Sequence, residues 1–296
     1  MTGMFRLGLA IWGYKGWLGD LFPEKTPAKE FLRLYSQRFT IVEGNTTFYA
    51  IPELATVQRW AAETTEGFRF CPKLPKGVSH QGALLPSLPA ALKFLQLMQA
   101  WGDRLGPFFL QLPPSYSPQF FNDLSLFLQG WKAATMSPLA IEVRHLDWFS
   151  PRQHDRLTQL LTDLKMARVH LDTRPIYNAT DNPQQYSQNK KPNVPLELIT
   201  TARFAIVRYI SHPDLEQNLS YYGEWVDTLA DWLQKGINVY FFVHCPLEDH
   251  SPRNARQFQH QLEAALGKKG ISIAPLPWDQ LPPDLSLPST SQLPLF

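Results

Sequence analysis

The chain has 296 residues, 44% of them hydrophobic and 18% charged, with a formal net charge of +2. That balance provides for a sizeable apolar core and excludes the broad cationic surface of a general polyanion binder, leaving room only for a local basic patch. Cys71 and Cys245 are the only cysteines, each within an apolar run; this excludes a disulfide framework and reads as reduced thiols in the cytoplasm.

Residues 5–10 are predicted as a strand, and the loop behind it is aromatic, with Trp12, Tyr14, Trp17 and Phe22. Arg6 is followed by only a short apolar run, unlike a signal peptide. No run in the chain reaches the ~18 apolar residues of a membrane span, so a membrane partner is not expected. A helix is expected over 27–37 with Thr26 as its N-cap. Strands follow at 40–44 and 68–72 with a helix over 53–63 between them. A helix over 87–101 carries Leu88, Leu92, Leu95 and Met98 on one stripe. The fourth strand spans 107–112, and a helix over 119–130 follows it.

The stretch 139–149 opens as the fifth strand. Ile141 and Val143 alternate with Ala140, Glu142 and Arg144, so one face is apolar and the other carries a charge pair. After a helix over 152–163 come strands at 167–172, 204–210 and 239–243, with helices over 222–235 and 252–266. Eight strands alternating with helices predict an α/β fold, a single (β/α)8 TIM-type barrel over 1–274, in preference to an open doubly wound sheet. Two segments break the rhythm. Residues 175–200 are polar, with at most one short helical turn near Leu196, and read as either a functional lid or a disordered connection. Residues 275–296 form a Pro-rich tail, extended on the barrel or frayed.

In such a barrel the chemistry sits at the carboxyl ends of the strands. Those ends carry Glu43 and Asn45, Lys73, Gln111, Glu142 and Arg144, His170 and Asp172, Arg208, and His244. Alternation places paired residues of one strand on one face, and turns Val42, Leu110, Ile141, Val143, Val169, Leu171, Val207 and Val243 toward the helices. Two readings compete. Glu43, Glu142 and Asp172 balance Lys73, Arg144 and Arg208 and would form a neutral plug, or the set is a binding site. His170 reads as a hydrogen-bonded core histidine. No compact His or Cys spacing supports a metal site, and no G-x-G-x-x-G follows a strand, so neither a metal nor a dinucleotide is expected; the cofactor is left unknown.

These motifs resemble the YecE-like family (domain of unknown function 72) in order along nearly the whole chain. Ile11–Pro23 is similar to its aromatic first loop, and Val42-Glu43-Gly44-Asn45-Thr46-Thr47-Phe48-Tyr49 to its V-E-x-N-x-T-F-Y motif. Phe68–Lys73 with His80, Gln111-Leu112-Pro113-Pro114, Glu142-Val143-Arg144-His145 with Trp148, and Tyr222 with Trp225 follow similarly. The resemblance implies a TIM barrel related by fold to sugar isomerases, and it names no reaction. The chain departs from the pattern at Val243-His244-Cys245-Pro246, where an Asn-Asn pair is usual, and at Arg208-Tyr209-Ile210-Ser211-His212, where His-Gly usually follows the Arg.

Lys73, Arg144 and Arg208 suit a phosphate or carboxylate. Trp12, Tyr14, Tyr49 and Trp148 suit stacking on a sugar or base; Asn45, Gln111, His145, Asp172 and His244 supply further polar contacts. Glu43 and Glu142 are the candidate acid and base, given surroundings that separate their pKa values. The expectation is a cytoplasmic, preferably monomeric protein that binds a small anionic or sugar-like ligand, phosphorylated or not, with an isomerase- or hydrolase-like reaction if it turns over. The alternatives are a nucleic-acid binder akin to barrel endonucleases and a non-catalytic ligand-binding barrel.

Overall fold

The computed structural model describes residues 2–187 and 190–282. Eight strands, β1 (Phe5–Leu9), β2 (Ile41–Gly44), β3 (Arg69–Pro72), β4 (Phe108–Gln111), β5 (Leu139–Glu142), β6 (Ala167–Asp172), β7 (Phe204–Ile210) and β8 (Asn238–His244), form one parallel sheet. Its order is β3-β2-β1-β8-β7-β6-β5-β4, so first and last strands are neighbours. The ends meet at a seam. Gly106 N donates to Phe70 O at 2.7 Å and Leu74 N to Phe109 O at 2.9 Å, with bridges Phe70↔Leu105 and Lys73↔Phe109, which leaves a nearly closed barrel.

The helices are α1 (Phe31–Ser36), α2 (Asn45–Tyr49), α3 (Leu54–Glu63), α4 (Lys76–Ser79), α5 (Leu88–Met98), α6 (Phe121–Ala134), α7 (Pro151–Leu164), α8 (Arg174–Tyr177), α9 (Glu216–Gln234) and α10 (Ser251–Lys268). Strand positions follow the sequence reading to within one or two residues; helix ends differ more. Thr26 caps nothing: a 3-10 turn over Ala28–Glu30 precedes α1, and Pro27 is extended ahead of it. The fifth helix stops at Met98 and tightens into 3-10 turns through Arg104, where Gly102 adopts φ 52°, a conformation that favours glycine. No helical turn forms near Leu196; the short turn of that connection is α8 instead.

Two cores sit on the two sides of the sheet. Leu7, Val42, Phe70, Leu110, Ile141, Val207 and Phe241 pack outward against the helices, while Ile41, Cys71, Phe109, Ala140, Val169, Ile206 and Phe242 fill the barrel. Two residues further along each strand lies the next inward position. On six strands it is polar: Glu43, Lys73, Gln111, Glu142, Arg208 and His244, all buried. On β6 it is Leu171.

That strand corrects the expected parity. Val169 and Leu171 face inward, and His170 and Asp172 face the helices. Pairing of Ala140 with Ala167 and Ile141 with Arg168 sets the register, and β6's polar residues find partners outside. His170 Nδ1 bonds Glu197 O, and Asp172 accepts from Arg174 and from Trp225 Nε1. At the chain's end, Trp278 is buried against Phe39 and beneath the Arg256 guanidinium, so residues 275–282 lie on the barrel. The rest of the expected tail, 283–296, lies outside the described residues. Among the described residues no helix is long and apolar enough to cross a membrane.

Candidate functional site at the barrel mouth

The polar ring is knitted by Arg208. Its Nε and Nη2 donate to Glu43 at 2.8 and 3.0 Å, and its Nη1 to Glu142 at 2.7 Å. Arg144 Nε donates to the other oxygen of Glu142 at 2.6 Å, and its Nη2 to Gln111 Oε1 at 2.7 Å. The same Gln111 oxygen accepts from Lys73 Nζ at 2.7 Å, and Lys73 also reaches Asn45 Oδ1 at 3.2 Å. His244 Nε2 lies 3.0 Å from Glu43 Oε2; an ionised carboxylate only accepts, so Nε2 carries the proton.

Burial pushes both carboxyls up, yet their guanidinium partners prevail. Arg208 and His244 hold Glu43 well below the usual carboxylate range, and Arg144 and Arg208 bring Glu142 to about 2. Both are therefore ionised at neutral pH, and neither is poised as an acid. Burial, with Arg208 nearby, lowers Lys73 to about 7. Burial likewise lowers His244 to about 3. The expected division of acid and base between Glu43 and Glu142 therefore finds no support in their surroundings.

Above the ring opens a cavity of about 420 Å³. Tyr14, Asn45, Tyr49, Lys73, Gln111, Arg144, Arg208 and His244 line it, eight of the fourteen residues singled out from the sequence. Glu43 and Glu142 lie beneath, bonded to Arg208. Four lie elsewhere. Trp12 packs edge-on to Trp60 and Phe70, and Trp148 is buried with its Nε1 on Tyr116 O. His145 Nδ1 accepts from Asp147 N, capping a 3-10 turn, and Asp172 faces α9. A larger hollow of about 620 Å³ opens at the opposite end, below β5, β6 and β7; its described lining holds no acidic residue, histidine or cysteine. The chemistry converges on the smaller one.

Two cavity residues had no sequence signal. Lys191, from the 175–200 connection, reaches the mouth, where burial and Arg208 lower it to about 8. Its ammonium has no hydrogen bond or ion pair among the described residues. Glu248, in the turn after β8, is raised to about 7 by burial, and its Oε1 is buried with no hydrogen-bond partner among the described residues. The connection is tied down: Ile176 and Val194 pack on Leu171 and Ile210, Lys191 N donates to Gln184 Oε1, and Asp181 meets His212. Ser187, Lys190 and Lys191 thus cover part of the mouth; Gln188 and Asn189 lie outside the described residues. No group of three or more His, Cys, Asp or Glu among the described residues is placed to hold a metal ion.

Parallel strands closed into a ring, with a polar layer at their carboxyl ends, define an α/β barrel of the TIM type. The chain belongs to the family described as "Protein of unknown function DUF72", which it matches over residues 6–281. It is 32% identical over 272 residues to the UPF0759 protein YecE of Escherichia coli K12, covering 90% of this chain and 96% of that protein. It is 31% identical over 156 residues to the UPF0759 protein YunF of Bacillus subtilis, covering 50% and 53%. Solved DUF72 structures from Enterococcus faecalis and Thermotoga maritima share the fold. Each has a TM-score of 0.65, at 20% and 19% identity, covering 88% of this chain and 98% and 99% of theirs.

Proposed function

We propose that the barrel mouth binds a small anionic, oxygen-rich ligand, such as a phosphorylated sugar or a sugar acid, beneath the 175–200 connection. The observation that carries this reading is the cationic capacity left after the ring has paired internally. Arg208 is used up on two carboxylates, but among the described residues neither Arg144 Nη1 nor the Lys191 ammonium has a hydrogen-bond or ion-pair partner. Lys73, Arg144, Lys191 and Arg208 line the cavity against one carboxylate among its described lining residues, Glu248, with Glu43 and Glu142 below. An incoming anion satisfies these donors in a partly dry site, where charge-assisted bonds are strongest. Tyr49, 73% exposed at the rim, offers a ring face to a sugar.

The test is a thermal-shift series with inorganic phosphate, sugar phosphates, sugar acids and short oligonucleotides. Small anions are expected to raise the melting temperature of the native chain and to lose most of that effect in Lys191→Met. An equal response in Lys191→Met removes the proposed role of the mouth. A response to oligonucleotides alone favours the nucleic-acid reading.

A further inference from the structure

The cations of the ring are not alike. Arg208 and Arg144 are each ion-paired, whereas Lys73 forms no ion pair among the described residues. Its nitrogen is held by two neutral amide oxygens, Gln111 Oε1 and Asn45 Oδ1, between the rings of Phe48 (4.2 Å) and Phe109 (5.4 Å). Asn45 is itself anchored, its amide donating to Ala10 O at 3.0 Å, and Gln111 is pinned by Arg144. Two acceptors satisfy two N–H bonds of a tetrahedral amine and leave its remaining position for a lone pair. A lysine kept solely as a cation gains from a carboxylate or from water; this one has neither a carboxylate contact nor an exposed side chain.

We propose that Lys73 is a nucleophile that condenses with the carbonyl carbon of a small anionic oxo compound, a 2-oxo acid or a phosphorylated aldehyde or ketone, held at its anionic end by Arg144 and Lys191. The proposal rests on the anion-binding reading and adds a covalent step to it. The neutral Lys73 amine forms a bond to the carbonyl carbon, the C–O bond breaks, and the oxygen departs as water carrying one amine proton and one proton from solvent. The product is a protonated imine, so atoms and charge balance without an oxidant or reductant. Burial and the neighbouring Arg208 favour the neutral amine, with Glu43 and Glu142 opposing and Arg144 reinforcing, so an appreciable fraction is nucleophilic near neutrality. The resulting cation is favoured electrostatically by Glu43 and Glu142, both held ionised.

Borohydride trapping tests this on the full chain. The native protein is incubated with pyruvate, glyoxylate or glycolaldehyde phosphate, reduced, and mapped by peptide mass spectrometry. The expected result is one reduced adduct per chain on Lys73, absent from Lys73→Met, and formed in Lys191→Met only at tenfold or higher ligand concentration. Localisation in the native chain makes the result independent of how Lys73→Met folds. Labelling of Lys73 no greater than that of exposed lysines such as Lys25, while phosphate still raises the melting temperature, overturns the nucleophile and leaves the anion site standing. If phosphate has no effect either, both fall.

Discussion

Replacing Arg208 by Met removes the group on which the ring is built, and the structure sets the size of the effect. Three hydrogen bonds to two carboxylates are lost, and Glu43, Glu142 and Arg208 are all essentially inaccessible. Removing one partner of a buried ion pair costs about 3–5 kcal/mol. Two pairs do not double that here, because Glu43 keeps His244 and Glu142 keeps Arg144. A loss of about 3–5 kcal/mol at pH 7.5 is expected.

Its pH dependence has a definite sign. In the native chain both carboxyls are depressed, so their stabilising contribution is complete above the unfolded pKa and is lost only as pH falls below about 4.5, for Glu142 toward about 2. Without Arg208, burial raises them, and protonation relieves the penalty. The difference between native and variant should therefore shrink between pH 7.5 and 5.5. Urea unfolding followed by tryptophan fluorescence at both values measures it, with the triple variant Glu43→Gln, Glu142→Gln, Arg208→Met recovering most of the loss. A loss below about 1 kcal/mol at pH 7.5, against the buried-pair expectation, or one that grows as pH falls, refutes the reasoning.

Burial holds His170 and His244 neutral down to about 4 and 3. The unfolded chain takes up protons below about 6.5 while the folded one does not, so stability should fall by up to about 1.4 kcal/mol per pH unit per histidine between pH 6.5 and 4. Urea midpoints that stay flat from pH 7 to 5 contradict this. Arg144→Met leaves Glu142 bonded to Arg208, and Arg144 is the more accessible guanidinium; a stability cost of about 1 kcal/mol is expected. Phosphate affinity in that variant should fall at least about tenfold, or 1.4 kcal/mol. A loss of ~3–5 kcal/mol that Glu142→Gln restores would make Arg144 a structural counterion only. Limited proteolysis within 175–200 should slow when phosphate saturates the site; unchanged cleavage at a concentration of proven binding would make the connection a linker.

Much of the barrel was legible because alternating strands and amphipathic helices are local patterns. Glu43, Lys73, Gln111, Glu142, Arg208 and His244 were placed together because each stands at the carboxyl end of its strand, and the structure does bring them together. Trp12, His145 and Trp148 were not excluded, since an aromatic or histidine in a loop looks the same in sequence whether it packs inward or opens to a ligand. Lys191 and Glu248 left no trace, because a connection's path over the mouth follows from distant contacts such as Val194 on Leu171 and Ile210.

The amino-acid order by itself determined which residues share a face of each strand, since that needs only the two-residue repeat of an extended chain. Which face turns inward was decided by tertiary structure. On β6 the register with β5 buried Val169 and Leu171 inside the barrel and sent His170 and Asp172 to the helices, against the parity of the other strands. Pairing was decided there too. Glu43 and Arg208 stand 165 positions apart, and their hydrogen bonds exist only because the sheet closes and brings β2 and β7 across one narrow interior. A carboxylate and a guanidinium carry their charges in the sequence, but burial and partner choice set their strength, and both arise only on closure.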